Sequence, residues 1–212
     1  LTVTVDDRAG NRTTVTRAFT IDTAAPTISL TAPADGAHVR GPVTLTFAAT
    51  DANPGATATA TLDGSPITSP HTLNVEGPHT LVVNATDAAG NAAAAVTRTF
   101  TIDNTAPTLT VTAPASGSFV RGPVTPTFSA TDNFPPATVS ATLDGNPFLS
   151  GTPINTEGSH TLVVNAVDRA GNAAPAVTRT FILDNTAPVI SVTAPAAGAF
   201  LRGPVTITFA AT

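Results

Sequence analysis

The chain has 212 residues, room for one large or two to three small domains, and a net charge of −5 in which all nine cations are arginine. It contains no cysteine, which excludes disulfides, thiolate metal sites and cysteine nucleophiles. The arginines stand singly, so no basic stripe exists to track a phosphate backbone, and no run approaches the roughly 18 apolar residues that span a bilayer. Nucleic acid is therefore not expected as a partner, and no membrane span is expected in this segment. No signal peptide opens the chain either, an observation of little weight because Leu1 falls inside a repeat.

Self-comparison sets the organisation. The stretch Asp87–Pro107 (DAAGNAAAAVTRTFTIDNTAP) recurs as Asp168–Pro188 and, one residue shorter, as Asp7–Pro26. Pro26, Pro107 and Pro188 are spaced by 81 residues, as are the Arg-Gly-Pro-Val runs at 40–43, 121–124 and 202–205. Two complete modules are expected at 23–103 and 104–184. Residues 1–22 then form the C-terminal part of a preceding module and 185–212 the N-terminal part of a following one. Both ends are expected to cut through a module of a longer array.

Within a module the hydrophobic period is two. Val43, Leu45, Phe47 and Ala49 alternate with Thr44, Thr46, Ala48 and Thr50, and Leu81, Val83 and Ala85 alternate with Val82, Asn84 and Thr86. The pattern predicts strands near 27–31, 43–50, 57–62, 67–75, 79–86 and 95–102, with a short piece at 37–39. Turn chemistry separates them, as at Asp63-Gly64, Glu76-Gly77-Pro78 and Asp87–Asn91. The only helix-friendly run, Ala92–Ala95, is too short to sustain a helix. Six or seven short strands in this length predict an all-β fold: tandem immunoglobulin-like β-sandwiches of about seven strands each, in an extended array. The expected core of the first module is Ile28, Leu30, Val43, Leu45, Phe47, Leu62, Leu73, Leu81, Val83, Phe100 and Ile102. Pro126 stands where Leu45 stands one period earlier, so the second module should lose a ladder donor or bulge there. Arg17, Arg98 and Arg179 share strand parity with the Phe two residues on, which predicts a bulge or a rim position facing a loop carboxylate.

The run Gly77–Asn91 followed by Phe100-Thr101-Ile102-Asp103 and Thr105-Ala106-Pro107 resembles the bacterial Ig-like repeats of large surface proteins and adhesins. The resemblance covers both full modules and both partial ones. It implies a non-enzymatic structural segment, extracellular or on the cell surface, whose partners are neighbouring modules and other copies in a filament. His79 and His160 depart from it, because the repeat's pattern places tyrosine there. That puts in doubt a tyrosine hydroxyl pinning the loop before this strand.

Three constellations bear on chemistry. His79 with Glu76, and His160 with Glu157, lie three residues apart, but no nucleophile, oxyanion loop or phosphate cradle accompanies them. Asn11-Arg12-Thr13 and Asn84-Ala85-Thr86 match the glycosylation acceptor; the corresponding Asn91 and Asn165 tripeptides do not, which marks the matches as chance. The third is acidic. In such a sandwich the loops beginning at Asp51 and Asp87 share a pole with the linker that carries Asp22, and one period later the trio is Asp103, Asp132 and Asp168. Converging carboxylates suit calcium at the joints between modules. Asp side chains capping their own turns, or carboxylates neutralised by Arg40, are the alternatives. A spacer, stalk or fibre-forming segment is the expected function. The competing reading is a glycan- or protein-binding module acting through polar loops, whose only loop aromatics are Phe134 and Phe148.

Overall fold

A computed structural model describes residues 1–212. The chain is all-β and without a helix, so none is long and apolar enough to cross a membrane. It divides into two compact units, residues 1–106 with 168–172, and residues 107–167 with 173–212.

The first unit opens with a hairpin of β1 (Thr2–Asp6) and β2 (Arg12–Thr16), closed by a turn in which Asp7 Oδ1 accepts the N–H groups of Ala9 and Asn11. Then follow β3 (Thr27–Leu30), β4 (Ala37–Val39), β5 (Val43–Leu45), β6 (Phe47–Thr50), β7 (Thr57–Leu62), β8 (Ser65–Ile67), β9 (His71–Leu73), β10 (Gly77–Thr86) and β11 (Val96–Ile102). One layer is the five-stranded sheet β4-β11-β10-β7-β8, antiparallel except where β4 runs parallel to β11. The other is built from the β3–β6 and β5–β9 ladders, joined because β5 and β6 are consecutive runs separated only by Thr46. Inward residues of both layers make a single core, with Leu45, Leu81, Val83 and Ile102 fully buried and Ile28, Leu30 and Val43 packed against it. All eleven expected core positions lie in this cluster.

The run 67–75 does not form one strand. β8 pairs with β7 in the five-stranded sheet while β9 pairs with β5 in the other, so the chain changes layers between Ile67 and His71. Pro70 has no N–H to continue a ladder through that crossing. β7 and β8 are joined by the two residues Asp63 and Gly64, at φ of 50° and 82°. Positive φ at both central positions is the turn whose twist suits a hairpin, and Asp-Gly tolerates it.

The second unit repeats the plan with β12 (Thr108–Val111), β13 (Ser118–Val120), β14 (Phe128–Thr131), β15 (Thr138–Leu143), β16 (Asn146–Pro147), β17 (Gly158–Val167) and β18 (Val177–Leu183). β13-β18-β17-β15-β16 form the five-stranded sheet, β12 pairs with β14, and a separate ladder joins β19 (Ile190–Ala194) to β20 (Thr208–Ala211). Pro126 has the expected effect: the β5–β9 ladder of the first unit shrinks here to an isolated bridge, Val124↔Ile154. Arg98 and Arg179 sit in regular register opposite Leu81 and Leu162, with no bulge, and are half-buried. Arg98 faces the rim: its charge helps to lower the Asp35 pKa, a shift caused mainly by the N–H and hydroxyl of Thr99.

Gly122 illustrates how close the loop before Val124 lies to the core. A Cβ there would stand 2.9 Å from Leu183 Cδ1, and Leu183 is itself buried. Gly122→Ala is expected to destabilise the second unit by about 1–3 kcal/mol, the usual cost of overpacking. A thermal melt followed by circular dichroism tests it; an unchanged midpoint would mean Leu183 has room to move.

Candidate functional site

Each acidic residue singled out from the sequence begins a turn, and each caps that turn. Asp22 Oδ1 accepts the N–H of Ala24, Asp51 Oδ1 that of Asn53, Asp103 Oδ1 that of Thr105, and Asp132 Oδ1 that of Phe134, at 2.8–3.1 Å. Asp87 and Asp168 do more, because each closes the loop between the two long strands of its sheet. Asp87 Oδ1 accepts the N–H groups of Ala89 and Asn91, and its Oδ2 accepts Asn91 Nδ2 at 2.7 Å. These bonds, the Asn91 side chain foremost, hold the Asp87 carboxyl below its ordinary pKa. Asp168 repeats the pattern with Asn172, at 2.8 Å from the backbone N–H and 2.6 Å from Nδ2.

The two trios differ in one respect. Asp103 and Asp168, which lie in the same unit, each offer a carboxylate oxygen within 4.8 Å of the other; Asp22, Asp51 and Asp87 form no cluster of three. Backbone support accounts for part of the difference. Asp103 directly follows β11 and its N–H is bonded to Val39 O at 3.0 Å, which fixes it at the end of a sheet. Asp22 follows residues 17–21, which are not in a strand. Asp103 is accordingly fully buried and Asp22 only half-buried.

Asn91 and Asn172 were not among the expected site residues, yet they reach the linkers. Asn91 Nδ2 also donates to Asp22 O at 3.1 Å, and Asn172 Nδ2 to Asp103 O at 2.9 Å. Asn172 is buried, and its Oδ1 has no hydrogen-bond partner. The linker after β11 is held from its own side as well: Asn104 Oδ1 accepts the Gly41 N–H at 2.9 Å, and Thr105 Oγ1 donates to Glu76 at 2.7 Å. One period later Asn185 Oδ1 accepts the Gly122 N–H, and the Asn185 N–H donates to Glu157, both at 2.9 Å. The sequence signal was present in the recurrence of Gly-Asn and Asp-Asn-Thr at one period, but recurrence does not say which donor meets which acceptor.

The histidines do not pair with Glu76 and Glu157 as the enzymatic constellation required. His79 Nδ1 meets Asp63 Oδ2, and Nε2 meets Val75 O, both at 2.8 Å. His160 meets Asp144 Oδ2 and Thr156 O at the same distances. Each ring is buried against Phe100 or Phe181. The bond to a carbonyl four residues upstream is the one a corner tyrosine makes at this position of an Ig sandwich. Histidine thus keeps the pin and adds a second arm. Of the two loop aromatics, Phe134 is half-buried, and Phe148 packs on the second core beside Phe128.

Comparison with known proteins agrees with this architecture. Residues 68–148 match the model of the bacterial Ig-like domain (group 3), a span as long as one sequence period. Over that span the chain is similar to the bacterial Ig-like repeat. The matched span runs from the β8–β9 crossing to β16, so it takes the end of one sandwich and the beginning of the next. No curated protein matches the sequence. Among solved structures, the repeat is similar to the fibronectin(III)-like modules of Clostridium thermocellum CbhA, at 17% identity over 74% of this chain and 94% of that one, TM-score 0.46. A 1.5-MDa bacterial ice-binding adhesin gives 22% identity over 86% and 74%, TM-score 0.32. Drosophila N-cadherin EC1-3 gives 12% identity over 76% and 68%, TM-score 0.29.

Proposed function

We propose that this chain is a structural spacer of a long extracellular protein, in which Ig-like modules 23–103 and 104–184 hold a functional end away from a surface or build a fibre. The observation that carries the reading is the repeated grip on the linkers. Asn104 and Asn185 accept the same glycine N–H, and Asn91 and Asn172 donate to the carbonyl of Asp22 and Asp103, one period apart each time. A binding module differentiates its loops, whereas this chain repeats the contacts that govern its linkers.

Calcium fits the second acidic group. Asp103 and Asp168 bring hard oxygen donors within 4.8 Å of one another, the ligand type this ion prefers. Bound there, the ion would neutralise carboxylates that otherwise repel one another.

Small-angle scattering on arrays of one to four intact modules, with calcium and with chelator, is expected to show a maximum dimension that grows linearly with module number. A compact particle would refute the spacer reading and leave a loop-mediated glycan- or protein-binding module as the alternative. Calorimetry on a two-module array is expected to show calcium binding that disappears in Asp103→Ala and Asp168→Ala. No heat and no change in melting temperature on chelation would leave the carboxylates as turn caps.

A further inference from the structure

We propose that His160 is an acid-engaged latch, whose protonation sets how firmly the second module holds the linker that leaves it. Val75 O and Thr156 O are backbone carbonyls, and Asp63 and Asp144 are carboxylates, so neither partner of either ring donates a hydrogen. Both bonds of a ring exist together only when both nitrogens carry hydrogen, which makes the ring an imidazolium. A neutral ring keeps one bond and turns a lone pair toward the other acceptor. The same four-atom arrangement occurs in both modules at the same 2.8 Å distances.

The carbonyl each ring holds belongs to the residue just before the glutamate that grips the linker. Val75 precedes Glu76, which accepts from Thr105 Oγ1. Thr156 precedes Glu157, which accepts the Asn185 N–H and the Thr186 hydroxyl. Protonation therefore ties this loop to the Asp-Gly turn that ends the neighbouring strand β15 and fixes the glutamate in place. Deprotonation frees one arm of the tie. A tyrosine at this position would pin the loop at any physiological pH, because its hydroxyl does not titrate there.

The charged groups near His160 are Asp144 on the β15–β16 turn, Glu157 on its own loop, and Arg179, which stands on β18 opposite Leu162. The His160 pKa is raised, first by the bond to Asp144 and next by the Thr156 carbonyl, against the opposing effect of burial. Burial pushes the Asp144 carboxyl up, but bonds from His160 and Thr161 outweigh it and the carboxyl ends below its ordinary value. The signs follow from linkage. A raised histidine contributes stability that is complete below its unfolded pKa, roughly 6.5, and is lost as pH rises through the folded pKa. A lowered aspartate contributes stability that is present above its unfolded value and is lost as pH falls through its folded one. The latch is closed between those limits.

The test is an NMR titration of the 212-residue chain from pH 5 to 8.5. Ring nitrogen shifts of His160 report its protonation, and the exchange protection factor of the Asn185 amide, already corrected for intrinsic pH dependence, reports the linker grip. His160 is expected to be doubly protonated at the acid end. Asn185 protection should then fall roughly tenfold through the same transition, the loss of about one net hydrogen bond. His160→Tyr should abolish the pH dependence of that protection. Asp144→Asn should shift the transition to lower pH, and it serves if the tyrosine variant does not fold. A His160 ring neutral at pH 5, a flat Asn185 profile, or an equal fall in His160→Tyr would each overturn the proposal.

Discussion

Phe181→Ala is expected to cost the second module about 3–5 kcal/mol, the range for emptying a buried aromatic site. Phe181 is 2% exposed on β18, beneath the His160 ring at a centroid distance of 5.3 Å. Its removal leaves a cavity and takes away the apolar face on which the histidine lies. The loss approaches the whole stability of a small domain, roughly 5–15 kcal/mol. This core also has little reserve, because Pro126 replaces a core leucine and Phe128 is only half-buried where Phe47 is buried. The expected result is a urea profile in which resonances of the second module disappear well before those of the first. The sequence has no tryptophan or tyrosine, so NMR or circular dichroism reads the transition. Coincident unfolding of both modules at the wild-type midpoint would show that the site collapses without penalty.

Asn172→Ala is expected to cost about 1–3 kcal/mol, the penalty of stranding buried polar groups. Its Nδ2 satisfies Asp168 Oδ2 at 2.6 Å and Asp103 O at 2.9 Å, and water has little access to replace a side chain only 4% exposed. Asn91→Ala removes the corresponding pair in the first copy, but Asn91 is half-buried and its bond to Asp22 O is longer, at 3.1 Å. Its effect should be the smaller of the two. Parallel melts of the two variants decide this, and equal losses would mean that burial is not what gives Asn172 its importance.

Much of the fold was legible because strands and turns are local. Alternation in Val43–Thr50 and Leu81–Thr86 placed the core face correctly, and Asp63-Gly64 fell on a two-residue hairpin turn. The single strands read at 43–50 and at 67–75 were the exceptions. Which layer a short run joins depends on its pairing partner, and β8 and β9 found different ones. The candidate site was legible only as residue types. That each Asp caps its turn is a property of two to four neighbouring residues, whereas the approach of Asp168 to Asp103 is not local at all.

Repetition and period two, read from the chain alone, determined that this is a tandem of β-sandwiches and which residues fill the first core. Those are properties of spacing, and spacing is written in the sequence. Tertiary structure alone decided that Asp168 comes within 4.8 Å of Asp103 and that Asn172 reaches back to the Asp103 carbonyl. It also decided that His79 and His160 face Asp63 and Asp144 across the sheet, not the glutamates three residues away. These contacts join residues 16 and 69 positions apart. Such pairs meet because β-strand pairing brings distant turns to the same edge, and no local preference encodes that meeting.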